Sequence, residues 1–143
     1  MYKIDQIVVD KDNGDCTRAC ICSILELESG SIPNYIEVGS DWIRDFWTML
    51  KEKGFKYYGI GWPLSEDRPN GHVLSKSISV DGYVLATVPS KTYDSVTHSV
   101  VIDLDGIVCH DPNPNNAWLG INVLESGDLD HWMMIGVKGI EDS

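Results

Sequence analysis

Apolar residues change their spacing twice along the chain. Cys20, Ile24 and Leu27, with Cys16 one turn above them, follow the i, i+4, i+8 spacing of one helix face. Asp15 stands where an N-cap belongs, and Ser29-Gly30-Ser31-Ile32-Pro33 stops the run, so a helix is expected from Asp15 to about Leu27. A second helix should start at the cap Ser40 or Asp41. Trp42, Ile43, Phe46, Trp47, Met49 and Leu50 give it a broad apolar stripe, and Gly54 sits at the C′ position. From Phe55 the period becomes two. Strands are expected at 55–60, 83–88, 97–103, 107–111 and 131–137. A mixed loop over 61–80 and an Asn-, Pro- and Gly-rich loop over 112–130 separate them. Residues 1–9 form a short arm or edge strand, followed by a polar loop over 10–15. Helices followed by a meander of antiparallel strands make the fold class α+β.

The 143 residues are expected to form a single domain, 1–143, with one real core. A 43% hydrophobic and 23% charged composition is that of a globular chain. The longest apolar runs are a few residues, too short to span a membrane. Met1-Tyr2-Lys3-Ile4-Asp5-Gln6 lacks the basic and apolar regions of a secretory signal, so a cytoplasmic protein is expected. Twenty-two acids against eleven Lys and Arg give a net charge of −11. That surface repels phosphate backbones and anionic membranes, which argues against nucleic-acid and membrane partners.

Three of the four cysteines, Cys16, Cys20 and Cys22, fall within seven residues. On a helix Cys16 and Cys20 share a face but Cys22 does not, and Cys109 and His110 on a strand point to opposite faces. No four-ligand zinc set forms, so neither a metal nor another cofactor is expected. Cys20 and Cys22 suit a reduced, buried role. Cys16 is different, because a thiol in the first turn of a helix feels the positive end of the dipole, which lowers its pKa.

A base for that thiol lies in the hairpin from Thr97 to Pro112. A turn at Leu104-Asp105 sets His98 opposite Asp111. A type I′ turn at Asp105-Gly106 sets His98 opposite Asn113, with Asp111 one diagonal step away. Either register puts His98, Val100, Ile102, Ile107, Cys109 and Asp111 on one face. If the Cys16 helix packs on that face, Cys16, His98 and Asp111 meet at one rim of the core as nucleophile, base and orienter.

Gly14-Asp15-Cys16-Thr17-Arg18-Ala19, Ile32-Pro33-Asn34-Tyr35, the Trp-rich helix, His98-Ser99-Val100-Val101 and His110-Asp111-Pro112-Asn113-Pro114 resemble a papain-like cysteine peptidase. The likeness is to bacteriocin-leader peptidase-like domains and to small uncharacterised bacteriophage proteins, over roughly residues 10–115. It implies a papain-like fold and a Cys16–His98–Asp111 triad. It also implies work in a host cytoplasm if the chain is phage-encoded. Papain-like enzymes carry a Gln six residues before the Cys to help form the oxyanion hole; position 10 here is Asp, which cannot donate when ionised. Gln6 and Asn13 are the candidate amide donors, beside the Cys16 backbone N–H.

Trp62 and Trp118 lie in loops of the kind that wall such a cleft, with Asn113 beside them as a candidate substrate contact. His110 is expected to be solvated or bonded to a loop, and Arg18 to pair with an acid such as Asp15 or Glu37. His72 and His131 have no partner that the sequence names. The leading expectation is a thiol hydrolase acting on a peptide, isopeptide or other amide. Its alternative is a catalytically weak papain-fold binding protein that blocks a host protein or sequesters a small signalling molecule.

Overall fold

The computed structural model describes residues 1, 3–7, 15–28, 31–32, 42–77, 79 and 82–137, with the backbone alone at 42, 43, 136 and 137. Asp10, Asn13, Glu37 and the expected cap at Ser40 or Asp41 lie outside the described residues. The fold is α+β. Helix α1 is Cys16–Leu25, α2 is Trp42–Glu52, and a short α3 is Val123–Ser126. The strands are β1 Phe55–Gly61, β2 Tyr83–Pro89, β3 Thr97–Asp103, β4 Val108–His110 and β5 His131–Val137. They form one antiparallel sheet in the order β1-β5-β2-β3-β4.

That order corrects the expected meander. The last strand returns to lie between β1 and β2. Its side chains explain the place: Trp132 faces one side of the sheet and Met133 and Ile135 the other, and all three are buried. A strand apolar on both faces belongs in the middle of a covered sheet. One face carries Leu85, Val101, Met133 and Ile135 beneath α1 and α2. The other carries Val84, Ala86, Val88, Val100, Ile102 and Val108, covered by Leu74, Trp118, Val123 and Leu129.

Helix α1 is the centrepiece of the first layer. Every residue from Ala19 to Leu25 is buried, so the helix is covered all round rather than along one stripe. It ends two residues before the expected Leu27. Glu26 adopts the left-handed conformation at φ 57°, and the N–H groups of Glu26 and Leu27 both reach the Cys22 carbonyl, the latter at 2.9 Å. In α2 the buried stripe is narrower than expected: Phe46 and Leu50 are buried, but Trp47 is 54% exposed, edging against Tyr57.

The segment over 112–130 is mainly loop, as expected, and carries the short α3. Asn122 caps that helix by accepting from the Leu124 and Glu125 N–H groups at 3.2 and 3.0 Å. The N-terminal arm forms no strand over residues 3–7. Instead it is a strap. The Ile4 N–H donates to Ser23 Oγ at 3.0 Å, the Ile4 carbonyl accepts from His110 Nε2 at 2.7 Å, and the Gln6 N–H donates to the Pro112 carbonyl at 2.7 Å.

Candidate active site

The β3–β4 hairpin places the base, and it does so through two offsets. The turn is not type I′. Gly106 donates to the Asp103 carbonyl at 3.1 Å with φ 95°, and the Asp103 N–H donates to the Ile107 carbonyl at 3.0 Å. That is a type I turn closed by a left-handed glycine. The Asp103 carboxylate holds it by accepting from the Asp105 and Ile107 N–H groups at 2.9 and 3.1 Å. Ile102 then pairs with Val108, and the register shifts so that Val101 pairs with His110. Cys109 is the extra residue of that bulge. Extended past the bulge, the register sets His98 across from Asn113, with Asp111 one diagonal step away.

The expected shared face is therefore corrected. Val108 is buried beside Val100 and Ile102, whereas Ile107 is exposed and Cys109 half-buried. His110 is buried on the other side of the strand, bonded to the arm. A second correction concerns the helix. By alternation His98 shares the face of Val100 and Ile102, yet α1 packs on the opposite face, over Leu85 and Val101. Cys16 and His98 still meet, because β4 pairing ends at His110 and leaves the β3 edge open at His98 and Ser99. The first turn of α1 abuts that edge. Thr17 Oγ1 and Ser99 Oγ lie 2.9 Å apart, which sets Cys16, the neighbour of Thr17, close enough to His98 and Ser99 for both to act on its pKa.

His98 Nε2 lies 2.8 Å from Asp111 Oδ1, which leaves Nδ1 for the sulfur. The carboxylate is itself fixed. Oδ1 also accepts the Asn113 N–H at 3.0 Å, and Oδ2 accepts the Trp118 N–H at 3.1 Å. Burial alone would raise the Asp111 pKa, but the His98 bond and these two N–H groups bring it below the usual carboxylate value. Burial would likewise lower His98. The bonds to Asp111 and Cys16, and their charges, raise it instead from 6.5 to about 9. Burial pushes the Cys16 thiol up, but the His98 bond and charge, with the Ser99 bonds, bring it below an ordinary thiol. Both shifts favour a thiolate beside an imidazolium over the neutral pair.

The arm adds a further piece. The Ile7 N–H donates to both Asp15 oxygens at 3.1 and 3.3 Å, so Asp15 makes no side-chain cap to α1. Its carboxylate also takes Arg18 Nη2 at 2.8 Å, the pairing expected of Arg18. Gln6 is thereby fastened between its own bond to Pro112, next to Asp111, and the Ile7 bond to Asp15, next to Cys16. It is brought to the site by the strap, though ten residues precede the thiol. Asn13 lies outside the described residues.

Trp118 is at the site as the buried wall behind Asp111, with Lys91 Nζ 4.3 Å from its ring centroid. Asn113 is there through its backbone. Trp62 is not. It packs edge-on against His72 at 5.0 Å, and its N–H meets His72 Nδ1 at 3.4 Å. Ser99 and Thr17 are site residues that the sequence reading passed over. Their signal was adjacency, since each follows a nominated residue. None of the four cysteines is in a disulfide, and Cys20 and Cys22 are fully buried. Among the described residues no group of three His, Cys, Asp or Glu side chains is arranged to hold a metal ion, and no helix is long and apolar enough to cross a membrane. The chain matches no family model, no curated protein and no solved structure.

Proposed function

We propose that the protein is a thiol hydrolase of papain-like fold, acting on a peptide, isopeptide or other amide. The observation that carries this reading is the His98 ring, held by Asp111 at 2.8 Å, with the first turn of α1, which bears Cys16, fastened beside it by the Thr17–Ser99 contact at 2.9 Å. The Cys16 thiolate attacks the carbonyl carbon, and the carbonyl oxygen becomes an oxyanion. The His98 imidazolium protonates the leaving nitrogen, so the C–N bond breaks and a thioester remains. Neutral His98 then takes a proton from water, whose oxygen attacks the thioester and releases the acid and Cys16. Gln6 and the Cys16 backbone N–H are the proposed oxyanion donors, with Asn13 the other amide candidate. The motif resemblance extends the proposal to a phage-encoded protein at work in the host cytoplasm.

A peptide vinyl sulfone tests it. Wild-type protein should gain the mass of one probe, and digestion should map it to Cys16. The His98→Ala protein should gain none. Failure of folded wild-type protein to react, or reaction at Cys109 instead, would overturn the hydrolase reading in favour of an inactive binding protein.

A further inference from the structure

Beside the His98 end of β3 lies an open groove of 810 Å³. Leu64, Val96 and Leu124 contribute to its apolar surface, and Leu64 and Leu124 are exposed to solvent at 56% and 42%. Its rim carries Asp94, Asp128 and Asp130. The one cation in the lining, Arg68, is engaged with Asp130 at 3.7 Å and with the Asp130 carbonyl at 3.2 Å. Three carboxylates against one paired guanidinium leave the groove negative, within a chain of net charge −11. Lys91 lines the small recess at His98 and Asp111 rather than the groove, and its ammonium sits over Trp118.

The groove is continuous with the triad. Thr97 lines it and is the residue before His98, and Ser90 lines both the groove and the small recess at His98, Asp111 and Trp118. In the proposed reaction His98 gives its proton to the leaving nitrogen, so the leaving group departs on the imidazole side. Thr97 and Ser90 put the groove beside that imidazole.

We infer that this groove binds the leaving-group segment of a polypeptide substrate, and that it selects apolar side chains flanked by Lys or Arg. The inference rests on the hydrolase reading for the direction of the chain, but binding itself needs no turnover. Apolar side chains cover Leu64 and Leu124, while the flanking cations answer the acidic rim.

The test uses full-length Cys16→Ala protein and two fluorescein-labelled decapeptides, one alternating Leu and Lys, the other Leu and Glu. Anisotropy should give about tenfold tighter binding of the Lys peptide at physiological salt, weakening as salt rises. Asp94→Asn combined with Asp128→Asn should shrink that preference to about threefold or less, and Leu64→Ser should weaken binding of the Lys peptide. Asp45→Asn with Glu52→Gln, on α2, should leave the preference intact, which separates the groove from general surface charge. Equal binding of the two peptides, or a preference untouched by the groove variants, overturns the inference. Preferential binding by a protein that never hydrolyses a peptide would sink the enzyme reading and leave the groove a peptide site.

Discussion

Among the described residues two histidines hydrogen-bond to aspartates, and the two pairs differ in almost everything but that contact. His131 Nδ1 lies 2.6 Å from Asp130 Oδ2, closer than His98 Nε2 to Asp111 Oδ1 at 2.8 Å. Its other nitrogen even faces a hydroxyl, Thr87 Oγ1, at 3.2 Å. Yet the side chains of His131 and Asp130 are 38% and 54% exposed, against 12% and 1% for His98 and Asp111. Water competes for an exposed pair and screens it. The carboxylates differ as well. Asp111 is locked by the N–H groups of Asn113 and Trp118, whereas Asp130 is shared with Arg68. Above all, His98 has a cysteine close enough to raise its pKa, at the start of a helix. A short His–Asp contact is therefore a poor marker of a catalytic pair. Burial, fixed donors on the acid and a nucleophile close to the ring are better ones.

The comparison breaks most visibly at the imidazoles. His98→Ala should cost at least about a thousandfold in kcat, since base, acid and thiolate partner go together, while His131→Ala should stay within about twofold. A fluorogenic peptide assay on both variants decides this. The acids sharpen the contrast. Asp111→Ala should lose about a hundredfold and also stability, because Trp118 and Asn113 N–H groups lose their acceptor. Asp130→Ala should leave kcat near wild type, its place on the groove rim showing in KM instead. Gln6→Ala should lower kcat by about a hundredfold with thiol alkylation unchanged, as expected for an oxyanion donor rather than a member of the ion pair.

A pH profile distinguishes the pairs without a large loss of rate. Activity should rise as Cys16 loses its proton below the ordinary thiol value, and fall as His98 loses its own near 9. In Asp111→Asn the imidazolium lacks its counter-charge, so the upper limb should move to lower pH. Stability follows the same sign. The raised His98 pKa means its contribution is complete below 6.5 and fades as pH rises through about 9. The difference in melting temperature between wild type and His98→Ala should narrow over that window. A difference that grows with pH would contradict the assignment. The smallest expected effect lies off the site: Cys20→Ala, in the α1 core, should cost on the order of 1 kcal/mol in denaturant unfolding and leave kcat unchanged.

The α+β class and most strand positions were legible in the period-two segments, and the Cys16, His98 and Asp111 types and spacing were legible in the motifs. Strand order was not. Only the burial of Trp132 on one face and Ile135 on the other marks β5 as central, and an apolar run alone does not say which neighbours cover it. The hairpin was read with a two-residue turn and no bulge. The turn carries one residue more and Cys109 adds another offset, and together they restore the diagonal placement of His98 and Asp111. The face on which α1 packs is not legible, because pattern reports that a face is apolar, not which partner it meets. Gln6 stood ten residues from the thiol with no local signal of its own. Its place follows from backbone bonds to Pro112 and, through Ile7, to Asp15, and such long-range bonds leave no period in a sequence.

The central claim is a Cys16 thiolate paired with a His98 imidazolium. The most direct measurement is the rate of iodoacetamide modification at each cysteine against pH, read by peptide mass mapping, in wild type and His98→Ala. The account predicts that Cys16 reacts first, with an apparent pKa below the ordinary 9.0 of a thiol, and that Cys20, raised well above that value by burial, stays unmodified. In His98→Ala the Cys16 pKa should climb back toward or past 9.0. A Cys16 that titrates and labels like the half-buried Cys109, and does so equally with and without His98, would contradict it.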